Sequence, residues 1–390
     1  MSNFNFEIKP FAVRKTNQIV SKNLKKLLNK NNEIINSLTS KYVNNFKIKR
    51  ISKLIGKRNI KLIGMGGSIL GSKAIYDYLK KKIKRKFLFF DNLTEHNINN
   101  LISKNYTANI IVSKSGNTLE TIVNTHNLIG KKDKNIFITE KKNSYLRKLA
   151  ENLRAEVIDH NNYIGGRYSV LSEVGMLPAE LMGLNSKNFK QFNNLINNKK
   201  FLKNLIFNVE KILFFVKKKK YNSVIINYDY SLNSFFEWYQ QLVAESLGKK
   251  NSGILPIISN MPKDNHSLMQ LYLDGFKNNF YSIFFSKEDI EKKNTNNYLY
   301  PYSYLKNYDI NHILLFKMKA TQSVFNKKKI PYRSFTLQKR NEKTIGELFC
   351  FFILETILLG KCMNVNPYNQ PSVDLIKKET KKYFNRSSQK

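Results

Sequence analysis

Short apolar runs alternate with longer mixed stretches along the first half of the chain, and this alternation predicts strands followed by helices. The runs expected to form buried strands are 59–65, 87–90, 109–112, 135–139 and 155–158. Helical stretches separate these runs, for example 69–82 after the first of them. Strands and helices in this order are typical of a parallel sheet covered by helices.

The second half of the chain repeats the pattern with fewer clear strands. Strands are expected at 223–228, 280–285 and 332–337, with helices between them. A long apolar helix is predicted at about 345–363, and an exposed helix follows it to about residue 384. We therefore expect an α/β protein with two doubly wound, mainly parallel-sheet domains, each with helices on both faces, and C-terminal helices. The two units could be copies of one domain.

Five regions follow from this pattern. They are an N-terminal segment at 1–49, a first doubly wound domain at 50–185, a helical connection at 186–220, a second doubly wound domain at 221–340, and a C-terminal helical segment at 341–390.

Composition narrows the range of partners. The net charge of +39 would favour nucleic acid, but only ten of the 67 basic residues are arginine, and the bias toward Lys, Asn and Ile fits AT-rich codons. We therefore expect no specific nucleic-acid partner, although the charge would attract small phosphorylated substrates. Two cysteines exclude a disulfide scaffold. No secretory signal or bilayer-spanning run is visible, so no membrane partner and a cytoplasmic location are expected.

Two glycine- and hydroxyl-containing loops follow predicted strands of the first domain. The first, GMGGS at 64–68, offers three glycines for close backbone approach and one hydroxyl near a helix start. The second, SKSGNT at 113–118, offers three hydroxyls, a lysine and a glycine. Such loops lie beyond the carboxyl ends of strands, where doubly wound sheets bind ligands, and they suit a phosphate dianion. A phosphorylated small molecule is favoured.

Candidates for proton chemistry are few. None of the five histidines (96, 126, 160, 266 and 312) has H-x-H or H-x-x-x-H spacing, which disfavours metal catalysis. Glu245 and Gln241 are one turn apart on a predicted helix and so project from one face. Arg167 follows two glycines, and its guanidinium would suit a developing oxyanion. Taken singly, each has a purely structural alternative, such as a helix cap or an ion pair.

Six motifs in order make the chain resemble the glucose-6-phosphate isomerase family, whose members contain two sugar-isomerase (SIS) domains. The resemblance covers about residues 60–380. Its motifs are GMGGSILG (64–71), SKSGNT (113–118), GGRYSVLSEVGMLPA (165–179), QLVAESLGKK (241–250), HSLMQLYLDG (266–275) and NPYNQPSVDLIKK (366–378).

The resemblance implies a role for each matching position. Glu245 would move the proton between C2 and C1, Arg167 would stabilise the cis-enediol(ate) intermediate, and His266 with Lys377 would open the sugar ring. The positions expected to bind the phosphate and the rest of the substrate are Gly67, Ser68, Ser113, Lys114, Ser115, Thr118, Gln241 and Gln370. No metal or other cofactor is expected. A homodimer is implied, with His266 contributed across the interface.

The expected activity is the reversible isomerisation of D-glucose 6-phosphate and D-fructose 6-phosphate, in glycolysis and gluconeogenesis. Two alternatives remain open at this point. One is an isomerase that also accepts mannose 6-phosphate, which differs only at C2. The other is a phosphosugar-binding regulator built on SIS domains, for which a DNA-binding helix-turn-helix segment would be expected and is not found in the sequence.

Overall fold

The chain forms two five-stranded sheets in a computed structural model, which describes residues 4–11, 18–29, 32–93, 107–130, 132–288 and 308–387. His96 lies outside these residues. The strands, numbered along the chain, are β1 (Phe6–Lys9), β2 (Ile60–Gly64), β3 (Phe87–Phe90), β4 (Ala108–Val112), β5 (Lys134–Glu140), β6 (Glu156–His160), β7 (Asn222–Asn227), β8 (Leu255–Asn260), β9 (Asn279–Ser286) and β10 (Tyr332–Leu337).

The described α-helices surround these sheets, and short 3₁₀ turns link several of them to strands. They are α1 (Gln18–Leu28), α2 (Glu33–Leu38), α3 (Ile48–Ile55), α4 (Leu70–Leu79), α5 (Leu119–Leu128), α6 (Tyr145–Asn152), α7 (Glu173–Leu181), α8 (Phe192–Ile196), α9 (Lys199–Lys217), α10 (Asn233–Leu247), α11 (Met269–Asp274), α12 (Ile310–Lys327), α13 (Glu342–Cys362) and α14 (Val373–Ser387).

The first sheet contains the five strands that the sequence predicts for residues 50–185. Its order is β3-β2-β4-β5-β6, and every pairing is parallel. All five residues of β2 and of β4 are buried, which explains why these segments are nearly continuous apolar runs rather than alternating ones. The predicted α/β class with parallel sheets is confirmed.

The second sheet has the order β1-β10-β9-β7-β8. Its four strands from the second half of the chain are parallel, whereas β1 pairs antiparallel with β10, with Phe6 opposite Leu337. Residues 1–49, predicted to be a separate N-terminal segment, thus supply an edge strand to this sheet, which no pattern in the sequence indicates. The residue boundaries of the five predicted regions stay a prediction.

Four parallel strands of each sheet follow the same order, and the fifth strand differs, since it is β6 in the first sheet and the antiparallel β1 in the second. Among the four, the earliest along the chain, β2 or β7, lies between the second and the third. The helices that follow these two strands, α4 and α10, pack against each other. Contacts at both ends show that the two helices are antiparallel. Gly66, just before α4, lies beside Gln241 near the end of α10. At the other end of the pair, Ser234 near the start of α10 donates a hydrogen bond to Asp77 near the end of α4.

The centre of the molecule is α13, in which every side chain from Thr344 to Gly360 is buried. This helix packs against α10, α9 and α1, so its apolar surface is covered by protein. Its buried Glu355 forms an ion pair with the equally buried Arg333, and the removal of either partner would cost about 3–5 kcal/mol. None of the described helices combines the length and hydropathy needed to cross a bilayer.

Candidate active site

The two predicted phosphate loops lie side by side at the carboxyl edge of the first sheet. They follow β2 and β4, which are adjacent and paired through Gly64 and Val112. This is the point at which the strand order of the sheet reverses, where open α/β sheets bind their ligands. The sequence reasoning placed both loops at such a position, and the sheet brings them together there.

The loop at 113–118 is a tight turn that holds hydroxyl groups close together. Gly116 has a positive φ of 66°, and a Cβ atom there would lie 2.1 Å from the Oγ of Ser144, so only glycine fits. The Oγ of Ser113 lies 3.0 Å from the Oγ1 of Thr118. Ser115 accepts a hydrogen bond from the backbone N–H of Asn117 at 3.2 Å. The loop ends at the first turn of α5, whose N–H groups favour an anion.

Lys114 belongs to the same loop, but its ammonium is directed away from the hydroxyls. It donates to the carbonyl oxygen of Asn162 at 2.7 Å and lies 3.5 Å from Glu140. Burial lowers the pKa of Lys114, and the nearby Glu140 carboxylate opposes that shift. In this structure the lysine therefore ties the loop to the segment after β6.

The first loop, at 64–68, packs so closely against Gly166 that no side chain would fit at Gly67. A Cβ atom on Gly67 would lie 2.2 Å from the carbonyl carbon of Gly166. The hydroxyl of Ser169 donates to the carbonyl oxygens of Gly166 at 2.7 Å and of Gly67 at 3.3 Å, which holds the two segments together. A 3₁₀ turn at Gly166–Leu171 follows, and its Arg167 contacts Glu245 on α10 and Gln370; the region at these residues is hereafter called the cleft.

Arg167 is almost fully buried, and each of its three guanidinium nitrogens donates hydrogen bonds. One terminal nitrogen, Nη1, donates to Glu245 at 2.9 Å and to Gln370 at 2.8 Å. The other, Nη2, donates to the carbonyl oxygens of Pro367 at 2.7 Å and of Asn369 at 3.2 Å. These contacts join the first unit, α10 and the C-terminal loop at one point.

Glu245 lies at the exposed side of this cluster and keeps about a quarter of its side-chain surface open to solvent. Its Oε2 accepts from Arg167, and its Oε1 accepts from the Nε2 of Gln241 at 2.8 Å. The one-turn spacing of Gln241 and Glu245 therefore places both side chains on one face, as the sequence indicated. The amide oxygen of Gln241 is buried and accepts no hydrogen bond from the residues that the structure describes, so an acceptor is left for a ligand.

Two predicted site residues, His266 and Lys377, are not brought to this cluster. His266 is exposed at the end of a 3₁₀ turn, Lys263–His266, and none of the described residues hydrogen-bonds its ring. Lys377 is exposed on α14, where it lies 3.5 Å from Asp374 of the same helix. Within the described chain, both residues contact solvent rather than Glu245 or Arg167.

Three residues that the sequence analysis did not single out complete the cluster. Ser246 is fully buried, and its Oγ accepts from the Nε of Arg167 at 2.9 Å and lies 2.8 Å from the hydroxyl of Tyr168. Trp238 donates its indole N–H to the carbonyl oxygen of Arg167 at 3.0 Å. Tyr168 and Ser246 lie inside the motifs quoted above, but the roles of all three depend on contacts that residue type alone does not reveal.

Lys249 is a further residue at the end of the helix that carries Glu245. Its ammonium donates to the carbonyl oxygens of Glu245 at 2.5 Å and of Ser246 at 2.8 Å, which caps the last turn of α10. Burial and the charge of Arg167 lower the pKa of Lys249 to about 8, although Glu245 opposes the shift. The ammonium of Lys249 thus stabilises the helix turn that carries Glu245.

Two of the other described histidines, His160 and His312, belong to structural hydrogen-bond networks. His160 is buried between Glu173, at 2.6 Å, and the carbonyl oxygen of Ile164, at 3.1 Å. His312 lies in the first turn of α12 and contacts the capping Asp309. In the part of the chain that the structure describes, no group of three or more His, Cys, Asp or Glu side chains is arranged to hold a metal ion.

Comparisons with known proteins agree on one family. The family model for phosphoglucose isomerase matches residues 8–254. The chain is 34% identical to a glucose-6-phosphate isomerase of Methanocaldococcus jannaschii, over 81% of each chain. It is 30% identical to a glucose-6-phosphate isomerase of Staphylococcus saprophyticus, over 80% of this chain and 77% of the relative.

Solved structures show the same fold at lower identity. A hypothetical protein of Thermus thermophilus superposes with a TM-score of 0.78 at 22% identity and covers 94% of both chains. A glucose-6-phosphate isomerase of Chlamydia trachomatis superposes with a TM-score of 0.70 at 17% identity, over 97% of this chain and 80% of the other.

Proposed function

The chain belongs to the phosphoglucose isomerase family, and we propose that the cleft at Arg167 and Glu245 interconverts D-glucose 6-phosphate and D-fructose 6-phosphate. The observation that carries this proposal is the hydrogen-bonded cluster of Arg167, Glu245, Gln241 and Gln370 beside the two phosphate loops. It unites an anion site, a carboxylate and a fixed guanidinium, which are the groups that an aldose–ketose shift needs.

The phosphate group would bind at the carboxyl edge of the first sheet. Its proposed ligands are the hydroxyls and backbone N–H groups of Gly67, Ser68, Ser113, Ser115 and Thr118. Two observations support this. Both loops lie where the strand order of the sheet reverses, and each loop is followed by the N-terminus of a helix. Lys114 would act at longer range, because its ammonium is held by Asn162.

Glu245 is the proposed base that removes the proton from C2 and returns it to C1. A single carboxylate can serve both carbons if it stays close and partly desolvated, and three-quarters of the Glu245 side-chain surface is covered. Hydrogen bonds from Gln241 and Arg167 fix both carboxylate oxygens. The side chain is thereby aligned before substrate arrives.

Arg167 is the proposed stabiliser of the cis-enediol(ate) intermediate. Charge develops on the C1 and C2 oxygens as the proton leaves, and a cation that is already oriented lowers the energy of that state without reorganisation. The backbone carbonyl oxygens of Pro367 and Asn369 hold the guanidinium in place. Gln370 and Gln241 would contact the substrate hydroxyls on either side.

His266 and Lys377 are the proposed ring-opening pair, and we propose that a second copy of the chain brings at least His266 to the site. Support comes from their exposure away from Glu245 within one chain. Further support comes from α14, where Leu375, Ile376, Tyr383 and Phe384 leave more than half of their surface open to solvent. A homodimer would cover such residues. The cytoplasmic location stays a prediction from sequence.

The decisive experiment is the conversion of fructose 6-phosphate to glucose 6-phosphate by purified protein without added metal, run beside Glu245→Gln. We expect wild-type turnover and a loss of at least about a thousandfold in kcat for the variant, because the amide cannot accept the proton. Glu237→Gln, two turns earlier on the same helix, is the matched control and should retain turnover. Turnover of Glu245→Gln within tenfold of wild type would overturn its role as base.

A further inference from the structure

The second unit contains a cavity at the position that corresponds to the catalytic cleft of the first. The cavity has a volume of about 750 Å³, within the range of about 300–1,000 Å³ that is usual for small-molecule sites. It lies beyond the carboxyl ends of β7, β9 and β10, and it also borders the last turns of α4 and the first turn of α10.

The correspondence follows from the shared strand order and the antiparallel packing of α4 and α10. At one end of this helix pair, the loops after β2 and β4 meet the end of α10, which carries Glu245. At the other end, the loop after β7 and the last residues of β9, Phe285 and Ser286, meet the end of α4, which carries Asp77. The cavity is therefore related to the catalytic cleft by the approximate two-fold symmetry of the two units.

The groups around the cavity are those of a polar ligand site. Ser286, at the end of β9, lines it and is 4% exposed, and its hydroxyl has no hydrogen-bond partner in the described part of the chain. An unsatisfied buried hydroxyl costs free energy unless a ligand or water completes it. Ser231, on the loop after β7, lines the same space and donates its hydroxyl to Asp229 at 2.6 Å.

The charges around the cavity favour an anionic ligand that also carries hydroxyl groups. Four cations line it: Lys73, Lys80, Lys81 and Arg340. Three carboxylates line it as well. Asp229 pairs with Arg340 at 3.0 Å and Glu237 with Lys73 at 3.3 Å, so these four charges offset one another, and the two lysines that follow α4 outnumber the remaining carboxylate. The Asp77 carboxylate accepts from Ser234 through one of its oxygens, Oδ2, and can accept a further hydrogen bond from a ligand hydroxyl.

We propose that this cavity is a second binding site for a small phosphorylated, polyhydroxylated compound, separate from the catalytic cleft. Its phosphate would face the lysines at the end of α4, and its hydroxyls would face Asp77 and the serines at the strand ends. Because α4 and α10 border both sites, a ligand here would contact the two helices that support the catalytic groups. This proposal does not depend on the isomerase reaction.

The test uses sorbitol 6-phosphate, which lacks a carbonyl group and so cannot be isomerised. Titration calorimetry of the full chain should give two sites per chain for the wild type. Ser115→Asp places a negative charge in the phosphate loop of the first sheet, so this variant should retain one site. In the Ser115→Asp background, Lys80→Glu should weaken the remaining site by about tenfold or more, since it reverses a charge close to a dianion.

Lys84→Glu is the matched control, because it makes the same charge change four residues later at an exposed position that does not line the cavity. It should leave the remaining site unchanged within twofold. Ser286→Ala gives a second check, with weaker binding and no loss of thermal stability, because the hydroxyl has no partner to lose.

Three outcomes would overturn the proposal. They are one site per chain in the wild type, no site in Ser115→Asp, and a second site that responds equally to Lys80→Glu and Lys84→Glu. Turnover of fructose 6-phosphate is measured separately on each variant, so a protein without a second site is distinguished from one without isomerase activity. Lys80→Glu and Ser286→Ala should both retain turnover.

Discussion

The proposed proton-transfer groups and the proposed ring-opening groups differ in how completely one chain assembles them. Arg167 is held by the side chains of Glu245, Gln370 and Ser246 and by two backbone carbonyl oxygens. His266 and Lys377 are exposed on separate elements and contact none of these groups. If the proposed homodimer forms, a single chain supplies the proton-transfer half of the site and a second copy completes the ring-opening half.

The largest effect is expected when two defective variants are mixed. If His266 acts across the interface, co-refolded Glu245→Gln and His266→Ala chains form mixed dimers in which one of the two sites is intact. A random one-to-one mixture should then recover about a quarter of the wild-type turnover of cyclic fructose 6-phosphate. The measurement is the steady-state rate before and after co-refolding.

The matched control for this mixture uses two residues of the same chain. Glu245→Gln mixed with Arg167→Ala should recover nothing, because Arg167 and Glu245 are hydrogen-bonded within one chain and every site in a mixed dimer keeps one defect. Recovery in this control would show that the proton-transfer groups are also shared. No recovery with His266→Ala would mean that His266 acts within its own chain or has no role in turnover.

Part of the candidate site and of the fold could be predicted from the sequence. Residue types and spacing indicated both phosphate loops, because glycines and hydroxyls after buried strands have few other uses in such a fold. The same reasoning indicated Arg167 beside its glycines and Gln241 with Glu245 on one helix face. It also proposed the doubly wound units, since short apolar runs between helical stretches leave little choice of architecture.

Other parts of the fold were missed because no local pattern encodes them. Two of the four residues of β1, Glu7 and Lys9, are exposed, and the segment forms a strand because β10 offers an open edge with which it can pair. The segment of β8 contains Pro256, which normally argues against a strand, but β8 is the outer strand of its sheet. The carbonyl oxygens of Pro367 and Asn369, which hold Arg167, have no side-chain signature at all.

A smaller effect is expected from Ser246, which tests how the Arg167 guanidinium is oriented. Its buried hydroxyl accepts from the Nε of Arg167, so Ser246→Ala leaves a charged N–H group without a partner. We expect kcat to fall about tenfold with little change in KM, because a misplaced guanidinium affects the intermediate more than substrate binding. Steady-state kinetics with fructose 6-phosphate measures both constants.

Ser234→Ala is the matched control for this prediction. Ser234 is buried on the same helix, but its hydroxyl donates to Asp77 at the far end of α4. This variant should therefore keep kcat within about twofold of wild type. A change in KM alone for Ser246→Ala would instead mean that the serine supports substrate binding and does not orient Arg167.

The smallest expected effect concerns Lys249, whose ammonium caps the last turn of the helix that carries Glu245. Its pKa of about 8 in the folded chain lies below the ordinary lysine value of 10.5. Between about pH 8 and 10 the unfolded chain therefore binds more protons at this position than the folded chain does. The contribution of Lys249 to the free energy of unfolding thus rises with pH across that window and is constant below it.

Lys249→Gln should remove this contribution while Lys250→Gln, at the exposed neighbouring position, should not. The measurement is the free energy of unfolding from urea titrations at about pH 7.5, 8.5 and 9.5, which bracket the shifted pKa. We expect the difference between wild type and Lys249→Gln to grow in favour of wild type as pH rises. A difference independent of pH would mean that the ammonium has an ordinary pKa, and that the positive charge of Arg167 is not felt at the end of the helix that carries Glu245.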